Sequence, residues 1–98
     1  MKQWYLVSYD VRDEKRLRRV ARLLEGYGVR MQYSVFRCYL AHREVERLRW
    51  ELAQRMEGED NLLIAGLCAQ CVNRIRQRGG VHSHEEDWPA EPEGHVII

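Results

Sequence analysis

Trp4 to Asp10 (WYLVSYD) is a β-favouring run that stops on a carboxylate and leads at once into a basic, helix-favouring segment. Alternation sends Trp4, Leu6 and Ser8 to one side of a strand and Tyr5, Val7 and Tyr9 to the other. Both sides are largely apolar. A sheet carrying helices on one face needs only one such side. The run is therefore expected as a central strand that delivers Asp10 to the point where the sheet meets its first helix. Something besides those helices must cover the second face.

The rest of the chain supplies the partners. Asp13 is a good N-cap, and Asp13 and Glu14 suit the positive end of a helix dipole. The helix is expected to run to about Glu25, with Gly26 and Gly28 ending it. Leu17, Val20, Ala21 and Leu24 recur at helical spacing and mark its buried stripe. Lys15, Arg18, Arg19 and Arg22 form a displaced outer row without an acid among them. Val29 to Leu40 alternates as one bent strand or as two strands broken near Gln32-Tyr33. A second helix spans roughly His42 to Met56, burying Val45, Leu48, Leu52 and Met56. Its Arg43, Glu46, Arg47 and Glu51 mix signs, as a solvated face does. Asn61 to Leu67 reads as a short buried strand, and a turn of helix near Ala69-Asn73 precedes Arg74, Arg76 and Arg78. Those three arginines alternate as one basic face of a strand would. Residues 82–95 contain two prolines and five acids, so they read as an extended linker before a brief β-prone ending, Val96-Ile97-Ile98. The order β-α-β-β-α-β is the split pattern of ferredoxin-like α+β folds. The expected organisation is a core over 1–80, then a linker and terminal strand over 81–98. Self-association into a homodimer would bury the second sheet face.

Ninety-eight residues suffice for one small domain of modest stability. The longest apolar run, Leu62 to Ala69, is far below the ~18 residues of a membrane span. No signal peptide is read, and a cytoplasmic location is expected; three cysteines (Cys38, Cys68, Cys71) suit a reducing compartment. The overall charge of +1 hides an asymmetry: residues 1–50 hold twelve Lys/Arg against six Asp/Glu, and residues 51–98 hold four against nine. Fourteen of the sixteen cations are arginine, whose planar fork matches phosphate oxygens. A polyanion partner on the first half is one reading; ordinary solvated helix faces are the other.

Asp10 is the leading candidate for chemistry. A carboxylate at a strand end can hold a hard divalent cation such as magnesium and so assist attack of water on a phosphodiester. Two copies of Asp10 facing each other across a twofold axis would supply two ligands. A plain turn or capping aspartate is the alternative. Tyr9 reads as core or as a nucleic-acid contact, and Phe36 as a base-stacking ring, a core residue or an interface residue. Arg16 follows close behind Asp10. Arg30 and the row Lys15, Arg18, Arg19 and Arg22 are candidates for phosphate contacts. Cys68-Ala69-Gln70-Cys71 is a lone CxxC; zinc needs about four ligands, which only Cys38 or a second chain could complete, so the pair reads chiefly as reduced, partly buried thiols. His82-Ser83-His84 reads as an exposed loop.

The segments Val7-Ser8-Tyr9-Asp10-Val11 and Gln32-Tyr33-Ser34-Val35-Phe36-Arg37-Cys38, separated by a basic helix and followed by a second helix, resemble the CRISPR-associated Cas-two family over about residues 3–78. The resemblance implies a ferredoxin-like homodimer whose C-terminal strand joins the partner's sheet. It implies a magnesium-dependent endonuclease, with manganese as the alternative ion, acting on single-stranded RNA or double-stranded DNA. It also implies a bridge between dimers of the CRISPR integrase during spacer acquisition. The family's metal-binding aspartate maps to Asp10 and the tyrosine before it to Tyr9. The helix arginines map to Arg16 and Arg18, the arginine after the helix to Arg30, and the phenylalanine to Phe36. The basic helix row with Arg74, Arg76 and Arg78 would hold the nucleic-acid backbone. Two other readings stand beside the enzyme: a non-catalytic DNA-binding scaffold of the integration complex, and a small-molecule-sensing ferredoxin-like module.

Overall fold

The computed structural model of the chain describes residues 1–76 and 78. Its elements are β1 (Lys2–Asp10), α1 (Glu14–Glu25), β2 (Gly28–Gln32), β3 (Val35–Ala41), α2 (His42–Arg55), β4 (Asn61–Leu67) and a short α3 (Ala69–Asn73). The four strands form one sheet in the order β2-β3-β1-β4, every neighbouring pair antiparallel. This is the expected α+β ferredoxin-like arrangement. Beyond α3 the expected basic strand does not begin as read: Arg74 caps α3, and Ile75 and Arg76 lie outside any element. The expected linker and terminal strand over 81–98 lie outside the described residues.

Local chemistry explains where the elements stop. The Asp13 carboxylate accepts the Arg16 backbone N–H at 2.9 Å, the N-cap bond of α1. Gly26 ends that helix with its N–H turned back to Leu23 and Leu24 carbonyls, in ordinary right-handed backbone. The Glu44 side chain accepts the Ala41 N–H at 2.7 Å and caps the start of α2. The long alternating run resolves into two strands, β2 and β3, with Tyr33-Ser34 as the turn and a register shift between Arg30 and Gln32. Gly28 begins β2 opposite Cys38; a Cβ there would lie 2.1 Å from the Arg37 carbonyl oxygen, so no side chain fits.

The alternation of β1 divides the core in two. Val7 and Tyr9 pack with Val20, Leu24, Phe36, Leu48 and Leu52 beneath α1 and α2. On the other face Trp4 and Met31 are buried with Val72 of α3. Part of what covers the second face is thus α3 itself, rather than only a second copy of the chain. That cover reaches the Trp4 end. At the opposite end Ser8 pairs with Leu63, which is 60% exposed, and Asp10 pairs with Asn61. Opposed residues of an antiparallel pair share a face, so this end of the second face stays open.

Candidate functional site

Asp10 closes β1, and its side chain is 58% exposed. Strand alternation places it with Trp4, Leu6 and Ser8, on the face away from α1 and α2. Arg12 Nε lies 3.9 Å from the carboxylate, but both side chains are largely in solvent, so the pair is weak. The donor set fits half of a magnesium site. Among the described residues no group of three His, Cys, Asp or Glu could hold a metal ion. Magnesium, however, commonly binds through one or two carboxylates together with water and substrate phosphate.

Tyr9 points the other way. Its ring is 3% exposed and lies 6.2 Å from the Phe36 ring, centroid to centroid. The hydroxyl is buried without a hydrogen-bond partner among the described residues. Burial pushes its pKa above the ordinary tyrosine value, with the nearby Arg30 guanidinium opposing that shift. Phe36 is fully buried. Of the readings open to it, the structure gives Phe36 the core one, and the Arg30 guanidinium covers the ring at 5.0 Å. Arg30 is further held by the Tyr33 carbonyl at 2.6 Å and Glu25 at 3.7 Å. Tyr9, Arg30 and Phe36 therefore form one packed cluster on the helix-covered side of the sheet, while Asp10 emerges on the other side.

Arg16 is engaged elsewhere. Its Nε donates to Asp60 at 3.0 Å, and its terminal nitrogen donates to Glu59 at 3.0 Å and to Asp60 at 3.2 Å. The Asp60 side chain is completely enclosed and also accepts the Glu57 N–H at 2.8 Å. Arg16 thus ties α1 to the loop before β4. Nothing in the sequence marks Asp60 apart from its place in a turn; only the fold brings it to Arg16. The Arg16 fork and the Glu57 N–H hold the Asp60 carboxyl below its ordinary value of 3.8. A carboxyl with a depressed folded pKa contributes stability that is complete above the unfolded pKa and is lost as pH falls through the folded one. Asp60→Asn should therefore lower the melting midpoint at pH 7 by roughly 5 °C or more. Its deficit relative to the parent should shrink below about pH 4. Thermal melts at pH 7 and pH 3 check both; a deficit equal at the two pH values removes the clamp.

The outer row of α1 meets α2. Lys15, Arg18, Arg19 and Arg22, with Leu23, line an open cleft of about 470 Å³, and Arg55 completes it from the last turn of α2. None of the four α1 cations makes an ion pair among the described residues. Arg55 is held in place by the Glu51 carbonyl at 2.9 Å. Sequence reasoning missed Arg55, which reads as an ordinary helix-end cation until the two helices pack side by side. The mixed-sign face of α2 behaves as expected, with Arg47–Glu51 and Arg49–Glu46 pairs at 3.9 and 3.1 Å. Arg76 donates to the Asn73 and Ile75 carbonyls and so folds back on its own backbone.

Residues 1–75 match the family model described as CRISPR associated protein Cas2. The chain belongs to the Cas2 family. It is 42% identical over 74 residues to the CRISPR-associated endoribonuclease Cas2 1 of Chloroflexus aurantiacus, covering 74% of this chain and 80% of that protein. The crystal structure of Streptococcus pyogenes Cas2 at pH 6.5 superposes with a TM-score of 0.70 at 34% identity, over 78% of this chain and 99% of that one. A chain of a partial Cas6-RT-Cas1–Cas2 complex superposes with a TM-score of 0.68 at 29% identity, over 82% and 93% of the two chains. The Cas2 fold thus accounts for the four-stranded antiparallel sheet and for α1 and α2. No helix among the described residues is long and apolar enough to cross a membrane.

Proposed function

We propose that this Cas2 family member works as a homodimer that cleaves phosphodiesters of RNA or double-stranded DNA. Its ion is magnesium, with manganese as the substitute, bound at paired Asp10 carboxylates. The observation that carries this reading is the exposed Asp10 at the end of β1, on the part of the second sheet face that α3 leaves open. A second copy packed there would bury Leu63 and bring two carboxylates to one seam. The endoribonuclease name of the Chloroflexus relative supports the same activity. When bound, the ion would polarise the scissile phosphate and lower the pKa of an attacking water. The chain's own residues do the rest. Asp10 supplies the anchoring oxygens, and the Tyr9–Phe36–Arg30 cluster fixes the strand end that carries it. Lys15, Arg18, Arg19, Arg22 and Arg55 neutralise the backbone of the bound strand.

A second reading, a DNA-holding scaffold between integrase subunits, is favoured by the breadth of the basic cleft. The neighbour found in a Cas1–Cas2 assembly supports it too. Either role is read as cytoplasmic. Cleavage of RNA and duplex DNA is measured with magnesium, with manganese and with a chelator. Turnover that appears with either ion and stops on chelation is expected. Silence on both substrates with both ions overturns the enzyme and leaves the scaffold.

A further inference from the structure

The CxxC segment plays no part in the proposed cleavage or DNA binding, yet its two thiols are placed together. Cys68 Sγ and Cys71 Sγ lie 3.4 Å apart, both residues are exposed rather than partly buried as expected, and both are free. A disulfide needs about 2.05 Å between the sulfurs, so the gap left to close is about 1.4 Å. Cys68 is the N-cap of α3, and its sulfur accepts the Cys71 N–H at 3.4 Å. The same short helix sets Val72 against Trp4 and Met31 on the second sheet face.

We propose that Cys68 and Cys71 are a reversible dithiol–disulfide site, closed by exchange with a small-molecule disulfide of the glutathione class, and that closure locks α3 onto the sheet. The Cys68 thiolate attacks one sulfur of the oxidant, forming a mixed disulfide and releasing one thiolate, which takes a proton from water. Cys71 then loses its proton to solvent and attacks Cys68 Sγ. The intramolecular disulfide forms and the second small thiol leaves. Two protein thiols are oxidised, and one small disulfide is reduced to two thiols. Cys68 suits the first step: the Cys71 N–H, then the Cys71 thiol, hold its pKa below the ordinary value. Cys38 is a built-in control, because it is fully buried and burial pushes its thiol up to about 12.

The locking follows from the size of α3. Five residues are too few to hold helical structure alone, and Val72 is the helix's one buried residue. At its start the Val72 N–H donates to the Cys68 carbonyl at 3.0 Å, and at its end the Arg74 N–H donates to the Cys71 carbonyl at 3.0 Å. A covalent link between Cys68 and Cys71 spans the first turn and removes its unwound states.

The test uses the full chain in glutathione buffers of graded ratio, quenched by alkylation and read by intact mass. Two of the three thiols should disappear together, with the loss of two hydrogens, and dithiothreitol should restore them. Cys71→Ser should trap glutathione on Cys68; residue 71 is exposed and gives the cap bond its backbone N–H rather than its side chain, so the fold is retained. Amide exchange at Val72, Arg74 and Ile75 should slow several-fold on closure. Three thiols still alkylatable under oxidising buffer, covalent chain-to-chain dimers, or a zinc ion that blocks oxidation until chelated would each overturn the site. A disulfide that leaves α3 exchange unchanged overturns the lock.

Discussion

Replacing Asp10 by alanine is expected to reduce metal-dependent cleavage by at least ~100-fold while leaving duplex affinity within about twofold. The size follows from the donor set. Asp10 is the carboxylate each chain would bring to the seam, and no cluster of three possible ligands exists among the described residues to replace it. In a pair, one substitution removes both anchors. Stability should hardly change, because the side chain is largely in solvent and its one ion pair among the described residues, to Arg12 at 3.9 Å, is weak. Asp10→Asn serves as the closer control: it keeps shape and loses the charge that binds a hard cation. Single-turnover cleavage at graded magnesium reads the effect. If Asp10→Ala cleaves like the parent, the carboxylate is an ordinary strand-end residue. If cleavage is lost and spacer acquisition continues in cells, scaffolding is the working role.

The second large effect concerns the basic cleft. The combined change of Lys15, Arg18, Arg19 and Arg22 to alanine should lower duplex DNA affinity by roughly 100-fold at 50 mM salt. Each phosphate contact contributes about 0.9 to the slope of log affinity against log salt, so four contacts carry about 3.6. Over a fourfold rise in salt that slope weakens the parent by roughly 100-fold, a loss the variant should largely escape. The variant should accordingly show a flatter salt dependence as well as weaker binding. Arg47→Ala, on the mixed-sign face where Arg47 pairs with Glu51, should leave both quantities nearly unchanged. An unaltered salt slope in the fourfold variant would move DNA binding to another surface.

Much of the fold was legible in the sequence because it depends on periodicity. The stripe Leu17, Val20, Ala21 and Leu24 placed α1, and the observed burial of Val20 and Leu24 follows it. Asp13 was readable as a cap because a carboxylate just ahead of a helix has free N–H groups to accept. Arg16 was read as a site residue from the family resemblance, and it also lies close behind Asp10 along the chain. Neither reading could show its partner 44 positions away, the enclosed carboxylate of Asp60. Phe36 was open to a stacking role for a similar reason: alternation assigns it a face but does not say that Arg30 lies over its ring. The Arg74, Arg76 and Arg78 spacing suggested a strand, yet a helical turn started by Cys68 uses Arg74 as its cap.

By itself, then, the sequence determined the strand that ends on Asp10, the order of helices and strands, the cation row with no acid among its four positions, and the proximity of Cys68 to Cys71. All of these rest on neighbours within a few residues, where backbone geometry fixes what can meet. Only the tertiary structure decided that Tyr9 lies in packed and Asp10 in open surroundings, that Arg55 joins the α1 row, that Asp60 claims Arg16, and that Val72 covers Trp4. Those are contacts between segments far apart in the chain. Their existence depends on how sheet twist and helix packing bring distant surfaces together, and no local pattern encodes that.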